Sequence, residues 1–280
     1  MDVRNKTALV TGASSGIGEA LAKGLAARGA RVILSGRRVD ALETVAASID
    51  GETFILPFEA TDYGALPGIV EKAIAWRGGI DLLINNAGVS QRSLALDTSF
   101  DVYRRIMEVD FFAPVRLTQL VLPSMVERRS GHVVIISSVA GKLGAPLRTA
   151  YCAAKHALLG YYDALRAEIE QAYGVSVHVV TPGSVRTNVA INAVTGDGGV
   201  RGRSDENIDN GMAPERAADI ILAAMAEGKR EIVVAEGMEL AALQMRAANP
   251  DALFDFIGNE GARLSAARDA GEAPDPKRIN

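Results

Sequence analysis

The chain has few of the residues that build disulfide or metal frameworks, no strongly basic stretch and no long apolar run. Its single cysteine, Cys152, has no partner for an internal disulfide and suits a reducing compartment. Three histidines and one cysteine among 280 residues offer no zinc-ligand pattern, so we expect no metal site. The net charge is −4, and lysine and arginine form no cluster along the sequence. Both observations argue against nucleic acid as a partner.

Apolar segments are also too short to cross a membrane, and no signal-peptide core precedes the first predicted strand. We therefore expect a cytoplasmic protein without a transmembrane segment. Hydrophobic residues make up 48% of the chain, which is enough for a large core that needs no disulfides.

Short apolar runs rich in β-branched residues alternate with longer segments of helical periodicity. The predicted strands are residues 7–11, 31–35, 53–57, 80–84, 132–137, 175–180 and 231–234. The predicted helices are residues 16–28, 40–49, 63–76, 100–129 and 151–172. Repeated β–α alternation with apolar strands indicates a parallel sheet that helices cover on both faces. We therefore predict an α/β fold, a single doubly wound Rossmann domain of about seven parallel strands over residues 1–268.

Three segments depart from this alternation. Residues 196–211 are rich in glycine, aspartate and asparagine, and a loop of that length is usually functional or disordered, so we expect a substrate loop at 184–212. Residues 237–264 are weakly amphipathic, which fits either a subunit interface or a membrane-surface contact. Two prolines and many charges in residues 269–280 predict a disordered tail.

A glycine-rich turn follows the first predicted strand, where residues 11–18 read TGASSGIG before a helix begins. Glycines let the backbone turn sharply and approach a pyrophosphate, and the helix N-terminus offers it free N–H groups. The spacing differs from the GxGxxG fingerprint, so a tight βα turn without a ligand is the alternative. Its place in the first βα crossover, where such sheets bind dinucleotides, favours a nucleotide site.

The end of the second predicted strand selects between the two nicotinamide dinucleotides. An acidic residue there would bind the ribose 2′-hydroxyl of NAD, but the chain continues with Gly36, Arg37 and Arg38. The planar guanidinium of Arg37 can pair with a 2′-phosphate, whereas Arg38 is expected to be solvated. NADP(H) is therefore the expected cofactor and NAD(H) the less favoured one.

Tyr151 and Lys155 lie four residues apart, so a helix places them on one face. A free tyrosine is a poor base at neutral pH, and a neighbouring ammonium favours its phenolate, which makes such a pair an acid/base unit. On its own this spacing is common on amphipathic surface helices. Here Ser138 follows the fifth predicted strand, where a hydroxyl can bind a substrate carbonyl and stabilise developing negative charge.

Two further turns are expected at the same edge of the sheet. Residues 85–88 (NNAG) and 181–183 (TPG) end or follow the fourth and sixth predicted strands. Because the carboxyl ends of parallel strands meet at one edge, these turns and Ser138 should converge on a common rim.

Together the motifs resemble the short-chain dehydrogenase/reductase family. The matching features, in the family's order, are residues 11–18, residues 85–88, Ser138 thirteen residues before Tyr151, Lys155, and Pro182-Gly183 followed by Thr187. They extend from residue 7 to about residue 190 and are highly specific in combination. The intervening sequence, such as residues 122–125 and 131–134, also resembles the branch that contains many steroid, retinoid and lipid-ketone reductases.

The resemblance implies a role for each matching residue. Tyr151 would be the general acid/base, Lys155 would assist it and hold the nicotinamide ribose, and Ser138 would orient the substrate oxygen. Ser14 and Arg37 would bind the 2′-phosphate. The residues implied in cofactor binding are Gly12, Ser14, Ser15, Gly16, Ile17, Gly18, Arg37, Glu59, Ala60, Asn86, Ala87, Gly88, Tyr151, Lys155, Pro182, Gly183, Val185 and Thr187. The implied activity moves a hydride between NADP(H) and a small-molecule carbonyl or alcohol.

One position departs from the family pattern. Asp110 stands in the fourth predicted helix, where the family often has an asparagine that holds a water in the proton relay to the lysine. A carboxylate near Lys155 would favour the ammonium and change the pH profile. We expect a supporting catalytic role for Asp110, with a purely structural helix residue as the alternative.

The residues that follow the catalytic positions are mostly apolar or small, which suits a medium-sized lipophilic ketone or aldehyde. The predicted substrate residues are Ser138, Val139, Leu143, Leu147 and Tyr151. A 3-oxoacyl thioester reductase is an alternative that would require a basic surface at the mouth, and no basic cluster is placed for it. A non-catalytic NADP-binding scaffold is another alternative, although the catalytic residues are present. The resemblance also implies a homodimer or homotetramer formed through the fourth and fifth helices.

Overall fold

The computed structural model describes residues 1–275, and its strands form one parallel sheet. The strands are β1 Thr7–Thr11, β2 Arg31–Ser35, β3 Thr53–Ile55, β4 Leu82–Asn85, β5 Gly131–Ile136, β6 Val175–Pro182 and β7 Glu231–Val234. Their order across the sheet is β3-β2-β1-β4-β5-β6-β7. The order reverses between β1 and β4, which opens a crevice at the carboxyl ends of the strands. The predicted α/β Rossmann fold is confirmed.

Helices cover both faces of this sheet. They are α1 Gly16–Ala26, α2 Val39–Ala47, α3 Leu66–Arg77, α4 Phe100–Met107, α5 Ala113–Arg128, α6 Thr149–Tyr173, α7 Glu206–Asp209, α8 Pro214–Ala226, α9 Gly237–Ala248 and α10 Pro250–Asp269. Successive strand residues point to opposite faces: Ala8 and Val10 pack with α1 and α8, whereas Leu9 packs with α5 and α6. Strands buried on both faces explain the continuous apolar runs of the sequence.

The single helix predicted over residues 100–129 is divided by a π-helical segment at Glu108–Phe112. Pro114 has no N–H to donate to the carbonyl of Asp110 one turn earlier, and its ring crowds that carbonyl. The regular hydrogen-bond pattern is interrupted there, and the turn widens. Asp110 is buried within the widened turn. The chain thus stays helical from Phe100 to Arg128, as predicted, with one π-helical turn inside the helix.

Residues 184–212, the predicted substrate loop, are fixed to the rest of the domain. A bridge pairs Val194 with Gln91 outside the segment, and a second bridge joins its two ends, Val185 and Met212. Nε and Nη2 of Arg92 donate to Oδ2 of Asp205 at 2.7 and 2.5 Å, and both side chains are buried. The segment is thus held against the residues that follow β4.

The segment after β7 forms α9 and α10, which pack on each other and on the residues that follow β5. Among residues 1–275, no helix is both long and apolar enough to span a membrane. The predicted tail, residues 269–280, begins at the end of α10. Asp275 pairs with Arg201 at 2.5 Å, and residues 276–280 lie outside the described part of the chain.

Candidate active site

A cleft of about 1130 Å³ lies at the carboxyl ends of the strands, between the turns that follow β1, β2, β4, β5, β6 and β7. Most of the predicted site residues line it: Gly12, Ser14, Ser15, Gly16, Ile17, Arg37, Glu59, Ala60, Asn86, Ala87, Gly88, Ser138, Val139, Leu143, Tyr151, Lys155, Pro182, Gly183, Val185 and Thr187. The fold therefore brings to one rim residues that are more than a hundred positions apart in the sequence.

Three predicted site residues lie outside this lining, each for a different reason. Gly18 lies under the glycine turn, where a Cβ would clash with the carbonyl oxygen of Gly12. Asp110 lies behind Lys155, in the protein interior. Leu147 is buried with a φ of +66°, and its carbonyl accepts the N–H of Ser93. The structure thus gives Leu147 a packing position rather than a place in the cleft.

The glycine turn is held open by Asn86. Gly12 adopts a φ of +65°, and a Cβ there would lie 2.8 Å from Nδ2 of Asn86. The same Nδ2 donates to the carbonyls of Thr11 and Gly12 at 3.0 and 3.3 Å. Ser15 is the N-cap residue of α1, but its side chain accepts no hydrogen bond from the first N–H groups of the helix. The start of α1 lines the cleft, so these N–H groups are available to a ligand there. This end of the cleft is built to receive an anion.

Arg37 and Arg38 both line the cleft at the end of β2. Nη1 of Arg37 lies 3.5 Å from Oε2 of Glu59, so the Glu59 carboxylate partly neutralises the charge of Arg37. Arg38 was expected to be solvated; it is exposed, but its Nη2 also donates to Oγ of Ser14 at 3.3 Å. Two guanidinium groups therefore stand beside the glycine turn.

Tyr151 and Lys155 lie one turn apart in α6. The Lys155 ammonium is 5.5 Å from the centroid of the Tyr151 ring. Lys155 is buried, and its Nζ donates to the carbonyl oxygen of Ile136 at 3.1 Å. The lysine thus bridges α6 and the end of β5, with the tyrosine next to its charge.

Asp110 lies on the far side of this lysine. Its Oδ2 is 3.4 Å from Nζ of Lys155, and its Oδ1 accepts the backbone N–H of Val89 at 2.8 Å. Burial raises the pKa of Asp110, and the Lys155 ammonium and the Val89 N–H oppose that rise. Burial alone would lower the pKa of Lys155, but Asp110 and Tyr151 outweigh it and the pKa of Lys155 is raised. The lysine is therefore held as an ammonium.

Ser138 follows β5 in extended backbone and begins a short 3₁₀ turn at Val139–Gly141. Its Oγ accepts the N–H of Ala140 at 3.1 Å and donates to the carbonyl of Pro182 at 3.4 Å. The second hydrogen bond is long, so the hydroxyl proton can turn to a substrate oxygen with little loss. The hydrogen bond from the Ala140 N–H holds the Ser138 oxygen in place.

Beyond Ser138 the cleft has an apolar wall that includes residues the sequence did not reveal. Val139 and Leu143, two of the predicted substrate residues, pack with Leu253 of α10. Ala242 of α9 and Ile257 of α10 belong to the same cluster and also line the cleft. A weak amphipathic pattern was the only signal in this segment, and it does not say which surface the apolar face covers.

Glu239 of α9 is a second residue that sequence reasoning missed. Its carboxylate accepts the N–H of Ser184 at 2.7 Å and the hydroxyl of Ser184 at 2.8 Å. Ser184 follows Gly183, where a Cβ would collide with the Glu239 carboxylate. Glycine at this position therefore allows α9 to be fastened to the turn after β6.

Arg92 and Arg148 also line the cleft, and both contact one buried carboxylate. Arg148, which precedes α6, has its Nη2 3.6 Å from Oδ2 of Asp205, the carboxylate that also pairs with Arg92. Burial lowers the pKa of Arg92 to about 10. Asp205 thus ties residues 184–212 to two other parts of the chain, because Arg92 and Arg148 both pair with it, and Arg201 of the same segment is its third partner.

Known proteins share this sequence and architecture. Residues 6–197 match the family described as short chain dehydrogenase. Dehydrogenase/reductase SDR family member 7B from Bos taurus is 40% identical over 270 residues, 93% of this chain and 83% of that protein.

Two solved structures extend the comparison. A short chain dehydrogenase from Burkholderia cenocepacia, in complex with NADP, is 25% identical with a TM-score of 0.77, over 92% of this chain and 99% of its own. A short chain dehydrogenase/reductase from Burkholderia phymatum, in complex with NAD, has a TM-score of 0.78 over 100% of both chains and, at 21% identity, shares the fold. Because the family match spans more than half of its length, the chain belongs to the short-chain dehydrogenase/reductase family of oxidoreductases.

Proposed function

We propose that the protein is an NADP(H)-dependent oxidoreductase that reduces a medium-sized lipophilic ketone or aldehyde, or oxidises the matching alcohol. The observation that carries this proposal is that Ser138, Tyr151 and Lys155 line one cleft together with the glycine turn. The cleft therefore offers a proton donor, a hydroxyl for the substrate oxygen and an anion site within one volume.

A nicotinamide dinucleotide fits the residues of this cleft. The open N-terminus of α1 and the glycine turn supply N–H groups to a pyrophosphate, and any side chain at Gly12 would collide with Asn86. When bound, the nicotinamide supplies or accepts the hydride. The two Burkholderia proteins were solved with different dinucleotides, so the preference for NADP(H) rests on Arg37 and Arg38, which favour a 2′-phosphate.

The protein residues divide the proton chemistry between them. In the reducing direction the substrate carbon gains the hydride and Tyr151 gives its phenolic proton to the oxygen, so that C=O becomes CH–OH. Ser138 donates a hydrogen bond to the same oxygen and stabilises the negative charge that develops on it. Lys155, which Ile136 and Asp110 hold in place, stabilises the phenolate left on Tyr151. In the oxidising direction the phenolate takes the proton back.

The substrate class follows from the apolar wall. Val139, Leu143, Ala242, Leu253 and Ile257 form a continuous apolar surface beside the catalytic serine. Burial of a lipophilic substrate against it contributes about 25 cal/mol for each Å² of apolar surface removed from water. A sugar or another polar carbonyl compound would leave its hydroxyl groups without partners there.

Turnover of NADPH with a panel of lipophilic ketones and aldehydes tests the proposal, with polar sugars as the comparison. We expect Tyr151→Phe to lower kcat/KM by about a hundredfold or more, because general acid catalysis is lost, while NADPH still binds. Tyr173→Phe at the exposed end of α6 is the matched control and should retain activity. Reduction of sugars but of no lipophilic carbonyl, or an unchanged Tyr151→Phe enzyme, would overturn the proposal.

A further inference from the structure

A buried pair of charged side chains, Asp110 and Lys155, lies behind Tyr151. Asp110 and Lys155 are both buried, with Oδ2 and Nζ 3.4 Å apart. Oδ1 of Asp110 accepts the Val89 N–H, whereas Oδ2 makes no hydrogen bond within the described residues and faces the lysine charge. With Asp110 ionised, the pair places one negative charge 3.4 Å from the positive charge beside Tyr151.

An amide at this position would have nearly the same shape but no charge. With an amide, the Lys155 ammonium would act on the Tyr151 hydroxyl without a counter-ion and would favour the phenolate more strongly. With the carboxylate of Asp110, part of that field is cancelled at short range, in an interior where charges are poorly screened. The difference between the two side chains is electrostatic rather than steric.

We propose that Asp110 is a positioning residue that acts through Lys155 to keep Tyr151 in its phenol form to higher pH, so that the proton-donating form of the site persists to higher pH. The inference deepens the proposed function, since it rests on Tyr151 as the acid/base group.

Other charged side chains line the same cleft as the tyrosine. Arg105 comes from α4, Glu108 from the π-helical segment, Arg92 from the residues after β4, Arg148 from the residue before α6 and Glu239 from α9, and all line the same cleft. They are identical in the wild-type protein and in a variant at Asp110 alone. A difference between those two proteins therefore isolates the contribution of the Asp110 carboxylate.

The test is an ultraviolet titration of tyrosinate in the nucleotide-free protein. Subtraction of the curve for Tyr151→Phe from that of the wild type leaves the signal of Tyr151, and the same subtraction is made in the Asp110→Asn and Asp110→Ser backgrounds. We expect the Tyr151 signal to appear about one pH unit lower when the carboxylate is absent, the low end of the effect of a neighbouring charge. Asp101→Asn, the same chemical change at an exposed position of α4, should leave the curve unchanged.

Asp110→Asn and Asp110→Ser are both tested because one of them could fail to fold, which circular dichroism would detect. An unchanged Tyr151 titration, or one moved to higher pH, in a variant that folds would overturn the inference. Failure of both variants to fold would also overturn it, since the role of Asp110 would then be structural. With an active substrate, the pH limb of alcohol oxidation should move down by the same amount. A shifted titration without turnover would contradict the proposed function while leaving the effect of Asp110 in place.

Discussion

Arg37 and Arg38, which follow β2 and line the cleft, have different surroundings. The side chain of Arg37 is 70% exposed and shares its charge with Glu59, whereas Arg38 donates to Ser14 in the glycine turn. A bound 2′-phosphate would compete with Glu59 for Arg37 but would meet Arg38 beside a hydroxyl already oriented toward it. We therefore expect both arginines to contribute to binding of a 2′-phosphate. The sequence argument favoured Arg37 alone and did not anticipate the hydrogen bond between Arg38 and Ser14.

Arg37→Ala and Arg38→Ala are each expected to weaken NADPH binding about ten- to a hundredfold, because a hydrogen bond to a charged group contributes about 1.5–3 kcal/mol. NADH binding should stay the same, since NADH has no 2′-phosphate. Titrations that follow nicotinamide fluorescence measure both affinities, with Lys72→Ala on the exposed side of α3 as the control for a lost charge. An equal loss for both nucleotides, or equal affinity of the wild type for both, would refute the cofactor assignment.

Among the elements, the junction of β1 and α1 depends on the absence of side chains. Gly18 brings the first turn of α1 against the carbonyl of Gly12, and Asn86 closes the same turn from the end of β4. The glycine turn is therefore one rigid unit made from two crossovers of the sheet. By contrast, a Cβ on Gly68 in α3 would have no atom of residues 1–275 within 4 Å beyond its own helix and chain neighbours, and the φ of Gly68 is not positive.

Gly18→Ala is expected to destabilise the fold by about 2 kcal/mol, because backbone atoms must move to admit the methyl group. Gly68→Ala should instead stabilise it by about 0.5–1 kcal/mol through the higher helix propensity of alanine. Urea denaturation of both variants gives the free energies of unfolding. Equal effects of the two substitutions would show that the close approach at Gly18 has no energetic consequence.

At the scale of the whole molecule, the sequence revealed what local pattern encodes. Short apolar runs, the glycine turn and the spacing of Tyr151 and Lys155 were sufficient for the sheet and for most of the cleft. The wall from α9 and α10 and the pair of Arg92 with Asp205 were not, because they join residues far apart in the chain and leave no periodic signal. The widened turn at Asp110 did have a signal, the proline four residues later.

The stability of the sheet also depends on two histidines that must stay neutral. Nδ1 of His132 in β5 lies 3.1 Å from Nε2 of His178 in β6, and Nδ1 of His178 lies 2.7 Å from the carbonyl oxygen of Lys229. His178 therefore donates to the carbonyl and accepts from His132. Burial lowers the pKa of His132 to about 4 and also lowers the pKa of His178.

The unfolded chain binds these protons at higher pH than the folded protein does. The contribution of the neutral histidines to the free energy of unfolding is therefore complete above about pH 6.5 and is lost as the pH falls toward 4. We expect the free energy of unfolding to fall by about 2 kcal/mol between about pH 7 and about pH 5. Urea denaturation at a series of pH values should show this slope, and His132→Gln should flatten it. His156→Gln, in α6, serves as the control. The same slope in His132→Gln as in the wild type would contradict the role of the pair.

Three of the five residues of the apolar wall, Ala242, Leu253 and Ile257, come from two helices that follow the last strand, whereas the glycine turn, Ser138 and Tyr151 all precede it in the chain. These helices meet the rest of the domain through contacts that include Glu239 with Ser184, Leu253 with Val139 and Leu143, and Arg268 with Asp97. Substitutions at Ala242, Leu253 and Ile257 can therefore change the shape of the wall while Ser138, Tyr151 and Lys155 stay in place. Under the proposed function, descendants of one ancestor could exchange one carbonyl compound for another while inheriting the same proton donor.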